Sequence, residues 1–192
     1  MNEQSNQTPS ESDLIKGCIN GNRQMQEHLY KKFSPKMYGV CLRYLGNTDD
    51  ANDVLQEGFI KIFKNLTKFR ADGSFEGWIR RIFVNTSIEH FRKKVKLYNV
   101  TEVQENTSED TALNVLDTLA VKDIILLVNE LSPGYKTVFN LHVIEGYSHK
   151  EIADLLGITE GTSKSQLARA KGVLKKSLEK MTNRTSNDPI NS

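Results

Sequence analysis

Residues Tyr147 to Lys171 read YSHKEIADLLGITEGTSKSQLARAK, two short helical patterns joined across a glycine. Ser148-His149-Lys150-Glu151 has capping-box spacing: the serine hydroxyl accepts from the Glu151 amide while the Glu151 carboxylate reaches back to the serine amide. A helix therefore starts at Ser148, and Ile152, Leu155 and Leu156 give it one apolar face. Gly157 lets the chain turn back, Ile158 plugs the corner, and Thr159 caps the helix that follows. Leu167, Ala170, Val173 and Leu174 hold that second helix to a core. Thr162, Ser163, Lys164, Ser165, Gln166 and Arg169 are left free near its N-terminal half, and side chains of these types read base edges and hold phosphates. The spacing is that of a helix-turn-helix.

Capped helix pairs are also ordinary parts of helical bundles, and polar residues on an outer face need do nothing but stay wet. Charge favours the nucleic-acid reading. Between Lys164 and Lys180 the helix carries Lys164, Arg169, Lys171, Lys175, Lys176 and Lys180 against the single acid Glu179, a footprint suited to a phosphate backbone. The whole chain gives no such signal, with 26 Lys and Arg against 24 Asp and Glu, so the distribution of charge carries the inference.

At 192 residues and 38% hydrophobic, the chain has room for two small helical domains that each bury a core. The pattern is all-α, with no convincing strand. Residues 1–9 are a polar, disordered tail. From Ser12, Leu14, Ile15, Cys18 and Ile19 mark a short helix, Gly21-Asn22 a turn, and Met25, Leu29, Tyr30 and Phe33 a longer helix that Gly46-Asn47 stops. Thr48 is the expected cap of a third helix, with Asp49 and Asp50 in its first turn and Val54, Leu55, Phe59, Ile62 and Phe63 as its buried stripe. Phe75, Trp78, Ile79, Ile82, Phe83, Ile88 and Phe91 mark a fourth, ending in Arg92-Lys93-Lys94. These helices make a first domain over 10–97. Residues 98–118 are rich in Asn, Thr, Ser, Glu and Asp, and read as a flexible acidic tether. The second domain, 119–180, opens with a helix carrying Val121, Ile124, Ile125, Leu127 and Val128. Ser132-Pro133 then begins another, capped by the serine hydroxyl, which buries Val138, Phe139, Leu141 and Ile144 and stops at Gly146. Residues 181–192 are a second disordered tail.

The first domain presents charge of both signs. Asp49, Asp50, Asp53 and Glu57 cluster with Gln56 on the third helix, whereas the fourth carries Arg80, Arg81, Arg92, Lys93 and Lys94. Either face alone is compatible with a solvated helix; together they point to a protein on one side and nucleic acid on the other. The loop Phe69-Arg70-Ala71-Asp72-Gly73-Ser74, beside Trp78, combines aromatics, a base and a glycine, a composition suited to gripping unpaired bases.

These residues carry a family resemblance. The run Asp50 to Phe63, DANDVLQEGFIKIF, resembles the helix of extracytoplasmic-function sigma factors that docks on the clamp of bacterial RNA polymerase. Phe75 to Lys94 resembles the same family's promoter-melting segment, and the helix-turn-helix resembles its reader of the upstream promoter element; the likeness spans roughly residues 10 to 180. It implies that Asp53, Gln56 and Glu57, supported by Asp50, meet the clamp of the largest polymerase subunit, and that the protein also meets the flap of the second largest. It implies that Phe69 to Ser74, with Trp78, receive a flipped base of the downstream element, and that Arg81, Asn85, Arg92 and Lys93 line the path of the separating strand. Thr162, Ser163, Lys164, Ser165, Gln166 and Arg169 would enter the major groove, and an anti-sigma protein would mask both domains. Two positions depart from the family pattern: Glu89 stands where the family usually has an aspartate, and Gln166 where an arginine is frequent. Gly58 weakens its helix by up to about 1 kcal/mol against alanine, leaving room for close approach of a partner.

Other function classes remain open at this stage. A free-standing helix-turn-helix regulator would bind a palindrome as a dimer without polymerase, and a metal-dependent nuclease would use Asp50, Asp53 and Glu57. No phosphate loop, zinc spacing or Ser/His/Asp arrangement is present, and His28, His90, His142 and His149 read as scattered, so no catalytic residue, metal or cofactor is expected. Cys18 and Cys41 lie in apolar helical patterns and read as reduced core residues. The polar N-terminus and the shortness of the aliphatic run Ile124 to Val128 predict neither export nor membrane insertion, hence a cytoplasmic protein.

Overall fold

The computed structural model describes residues 9–98 and 126–185, with side chains described as far as Lys93 and from 126 to Met181. Residues 1–8, 99–118 and 186–192, which hold most of both expected tails and of the expected acidic tether, lie outside the described residues, as do the expected core positions Val121, Ile124 and Ile125. Residues 181–185, expected in the second tail, are helical and continue the last helix. The chain divides into two compact units, one up to Lys94 and one from Val95. Helices, turns and loops account for all of the described residues.

The first unit contains α1 (Glu11–Ile19), α2 (Arg23–Leu45), α3 (Thr48–Asn65) and α4 (Phe75–Tyr98), with a 3-10 turn over Leu66–Lys68 after α3. The Ser10 hydroxyl caps α1 by accepting from the Asp13 amide, and the Asn22 carboxamide oxygen caps α2. Gly46 takes φ 77°, a left-handed conformation that suits glycine and ends α2. The cap of α3 is Asn47, one residue before the expected Thr48: its Oδ1 accepts from the Asp50 amide at 2.8 Å. The asparagine carboxamide makes the capping contact a serine or threonine hydroxyl would make, and it leaves Thr48 as the first helical residue. α2 runs through Pro35, with Phe33 and Met37 buried on either side holding both halves to the core.

α2 packs on α1 and on α3. α4 closes the unit through aromatic contacts: Phe83 meets Phe59 edge-on at 5.3 Å, and Phe75 meets Phe33 at 5.7 Å. Gly58 stands where α3 and α4 approach, and a Cβ there would lie 2.2 Å from Cε1 of Phe83. The close approach expected of an outside partner is thus made by the protein's own fourth helix.

Cys18 and Cys41 are buried free thiols. Burial pushes the Cys41 thiol up to about 12, so thiolate is scarce at neutral pH. A disulfide-exchange reagent is expected to leave Cys41 unmodified in the folded protein and to modify it fully in denaturant; fast labelling under native conditions would contradict this packing.

The second unit contains a helical stretch at 126–129, then α5 (Pro133–Phe139), α6 (His149–Leu156) and α7 (Glu160–Thr185). Ser132 occupies the cap of α5, but its side chain makes no capping bond. Pro133 at the first helical position has no N–H and fixes φ, so the ring sets the helix start where the hydroxyl was expected to. α5 then widens into a π turn, Asn140–Ile144. That wider turn breaks the 3.6-residue register: Leu141 is fully buried while Ile144, expected in the core, is 40% exposed. Val128, Leu131 and Ala170 form the core with Tyr135, Phe139 and Leu174 packed around it. α7 reaches this core through Ala170 and Leu174; Leu167, buried on the same stripe, is spaced three before Ala170, which leaves Val173 off the stripe and 40% exposed.

Candidate functional site

The helix-turn-helix is built by short-range bonds. Ser148 Oγ accepts from the Glu151 amide at 3.2 Å, and the Ser148 amide donates to Glu151 Oε2 at 2.8 Å, completing the capping box. Gly157 takes φ 68° and turns the chain. Thr159 Oγ1 then accepts from the Thr162 amide at 3.0 Å and starts α7. Lys164, Ser165 and Arg169 are exposed, and Thr162 and Gln166 are half-buried. Lys164 reaches Glu160 at 3.5 Å, and Arg169 Nη1 donates to the Tyr135 hydroxyl at 3.4 Å, so α5 helps to orient one of the expected DNA contacts.

Ser163 corrects the sequence reading. It is wholly buried, and its hydroxyl lies 2.9 Å from Nδ1 of His149. Positions 163, 167 and 170 form one inward stripe, and a small hydroxyl fits where that stripe meets α6. Ser163 therefore cannot enter a groove. The histidines are not all scattered either: His142 and His149 stack with ring centroids 4.4 Å apart.

On α3, Asp53 and Gln56 are exposed. Glu57 is half-buried and pairs with Lys61 at 2.9 Å, a hydrogen bond that holds its carboxyl below the ordinary range. Lys61 also reaches Glu89 on α4 at 2.7 Å, so the glutamate that departs from the family pattern ties the two helices together. Burial acts to lower the Lys61 amine, and the two carboxylates outweigh it and raise it. Asp50 turns onto the fold: its Oδ1 lies 3.2 Å from His90 Nε2 and its Oδ2 accepts from Asn47 Nδ2 at 2.7 Å. Among the described residues, no three His, Cys, Asp or Glu are placed to hold a metal ion.

The loop before α4 rests on an aromatic cluster. Phe75 is buried; Phe69 and Trp78 are half-buried, with ring centroids 5.5 Å apart and lying 5.1 and 5.8 Å from the Phe75 ring. Arg70, Ala71, Asp72, Gly73 and Ser74 are exposed above it. Ala71 takes φ 58°, the one left-handed residue other than glycine among those described. Ser74 Oγ accepts from the Gly77 amide at 3.0 Å and starts α4. Trp78, Arg81, Asn85 and Arg92 recur at helical spacing along one stripe of α4, with Arg81, Arg92 and Lys93 exposed and Asn85 half-buried.

Comparison with known proteins places this arrangement. Residues 29–96 match the family description Sigma-70 region 2, and residues 122–174 match Sigma-70, region 4. The ECF RNA polymerase sigma factor SigW of Bacillus subtilis is 31% identical over 176 residues, spanning 85% of this chain and 94% of SigW. The RNA polymerase sigma-H factor of Pseudomonas aeruginosa is 26% identical over 181 residues, 88% of this chain and 94% of that protein. The fold resembles that of the sigma factor RpoE of Bartonella quintana, with a TM-score of 0.54 at 21% identity, covering 80% of this chain and 96% of RpoE. No helix among the described residues is long and apolar enough to cross a membrane. The chain belongs to the ECF family of RNA polymerase sigma factors.

Proposed function

We propose that the protein is an alternative sigma factor whose faces divide the work: α3 docks on core polymerase, the Phe69–Ser74 loop takes a flipped base of the downstream promoter element, and α7 reads the upstream element. The observation that carries this is the capped helix-turn-helix with Lys164, Ser165 and Arg169 exposed on its second helix, in the same chain as the exposed acidic face of α3. The proposed domains are 10–97 and 119–180, joined by the acidic segment 98–118. Each unit alone would bind DNA weakly; held on polymerase, both act at high effective concentration. Capturing an unstacked base offsets part of the few kcal/mol needed to extrude it. The subunit makes and breaks no bond, and acts in the cytoplasm. An anti-sigma partner belongs to the reading, since RpoE of the same fold was solved with the anti-sigma factor NepR.

Run-off transcription of genomic fragments tests it. Transcripts are expected only when core polymerase and this chain are both present. Binding of a palindrome as a dimer without polymerase, and no transcript with it, would favour a free-standing regulator. Lys164→Ala and Arg169→Ala are each expected to weaken holoenzyme binding to promoter DNA and to lower the slope of log affinity against log salt by about 1. Titration of binding at several salt concentrations reads that slope, and an unchanged slope in both variants would remove α7 from the backbone.

A further inference from the structure

The two stacked histidines lie at the joint of the helix-turn-helix and are unused by the proposed function. We propose that His149, acting through Ser163, is a positioning residue for α7, and that the neutral imidazole is the form that holds α7 in its DNA-reading pose. The proposal rests on α7 being the promoter-reading helix.

The geometry forms a continuous clasp. His142 lies in the π turn, and its Nδ1 is 2.9 Å from the Tyr147 carbonyl oxygen. A carbonyl only accepts, so that nitrogen carries the hydrogen. The His142 ring stacks on His149 at an interplanar angle of 13°. His149, the first residue of α6, then reaches the buried Ser163 hydroxyl in the first turn of α7. One line of contacts thus joins the π turn, the start of α6 and the start of α7, spanning the turns at Gly146 and Gly157.

Charge in this clasp works against it. A protonated His149 would face His142 from the π turn and Lys164 and Lys171 from α7; Glu160 of α7 is the acid that favours the charged form. Loss of solvent first, then His142 and the lysines, holds the His149 imidazole below its usual 6.5. For a base held below its unfolded value, the stabilisation is complete above about 6.5 and is lost as pH falls through that value toward the folded one. Acid also makes both ring nitrogens donors, so the buried Ser163 hydroxyl can no longer donate to His149 and must turn to accept from it. The clasp on the first turn of α7 is consequently weakened in acid.

The test uses reconstituted holoenzyme with the full chain, and reads the dissociation constant for a promoter fragment at about pH 7.5 and about pH 5.5. Wild type is expected to weaken about tenfold across that range. His149→Gln keeps an amide able to bond Ser163 but does not titrate, and is expected to change by about twofold or less. His142→Gln leaves the His149–Ser163 bond in place while removing the stacked ring, and is expected to give an intermediate loss. Hydrogen exchange of the first α7 amides in the free chain supplies a readout independent of promoter binding: protection should fall with acid in wild type and stay level in His149→Gln. Identical pH profiles in wild type and both variants, by affinity and by exchange, would overturn the clasp. Acid-dependent exchange without promoter binding at any pH would instead keep the clasp and overturn the assignment of α7 as promoter reader.

Discussion

Asp53→Lys is expected to weaken association with core RNA polymerase about a hundredfold or more, because like charges brought together in an interface cost several kcal/mol. Asp53 is exposed on α3 beside Gln56, so its side chain is placed to meet a basic partner surface and its replacement disturbs no packing. Glu57→Lys is expected to have a smaller effect on docking, since that carboxylate is already held by Lys61. Its replacement would also place a new cation beside Lys61 and weaken the tie to Glu89. Asp50→Asn should act chiefly on the fold, since one carboxamide oxygen cannot serve both His90 and Asn47. Co-purification with core enzyme, with thermal unfolding as the control, separates these cases. Wild-type association retained in Asp53→Lys would move the docking surface off α3.

Gly58→Ala is expected to destabilise the first unit by about 2 kcal/mol, although alanine is the better helix former by up to about 1 kcal/mol. The added methyl would stand 2.2, 2.6 and 2.8 Å from three carbons of the Phe83 ring. That ring is fully buried and packed edge-on to Phe59, so it cannot swing aside cheaply. Phe83→Leu in the Gly58→Ala background should recover part of the loss, because the two positions share one space and their effects do not add. Urea unfolding of the single and double variants measures this. A neutral or stabilising Gly58→Ala would mean that α3 and α4 do not approach as closely as described.

What was legible in the sequence follows from the range of the contacts. Ser148 with Glu151, Thr159 with Thr162, and Gly157 act within one helical turn, so their spacing alone places the helix-turn-helix. The all-α pattern and the four helices of the first unit rest on apolar periodicity, which is equally local. Contacts between elements were not legible. Ser163 resembles any other hydroxyl of α7 until α6 is laid against it, and the stretch from His142 to His149 includes the turn at Gly146, which no single-helix period describes. The π turn moved Ile144 out of the core because one wide turn shifts every later residue in the register. Gly58 looked like a weakness to be explained by a partner, since its neighbour Phe83 belongs to another helix. Lys136 is likewise charged in the sequence yet buried in the fold, with its amine lowered by burial and bonded to Asn129.

The most direct test of the central claim, that one chain applies two separate faces to one promoter, is DNA cleavage by tethered iron chelates. Cys18 and Cys41 are buried, so a cysteine introduced at Ser165 or Asp72 can be labelled selectively. In reconstituted holoenzyme, the probe at 165 is predicted to cut duplex DNA upstream, and the probe at 72 to cut at a distinct downstream patch where the strands separate. Cuts at one shared position, or cuts that persist when core polymerase is omitted, would contradict the account.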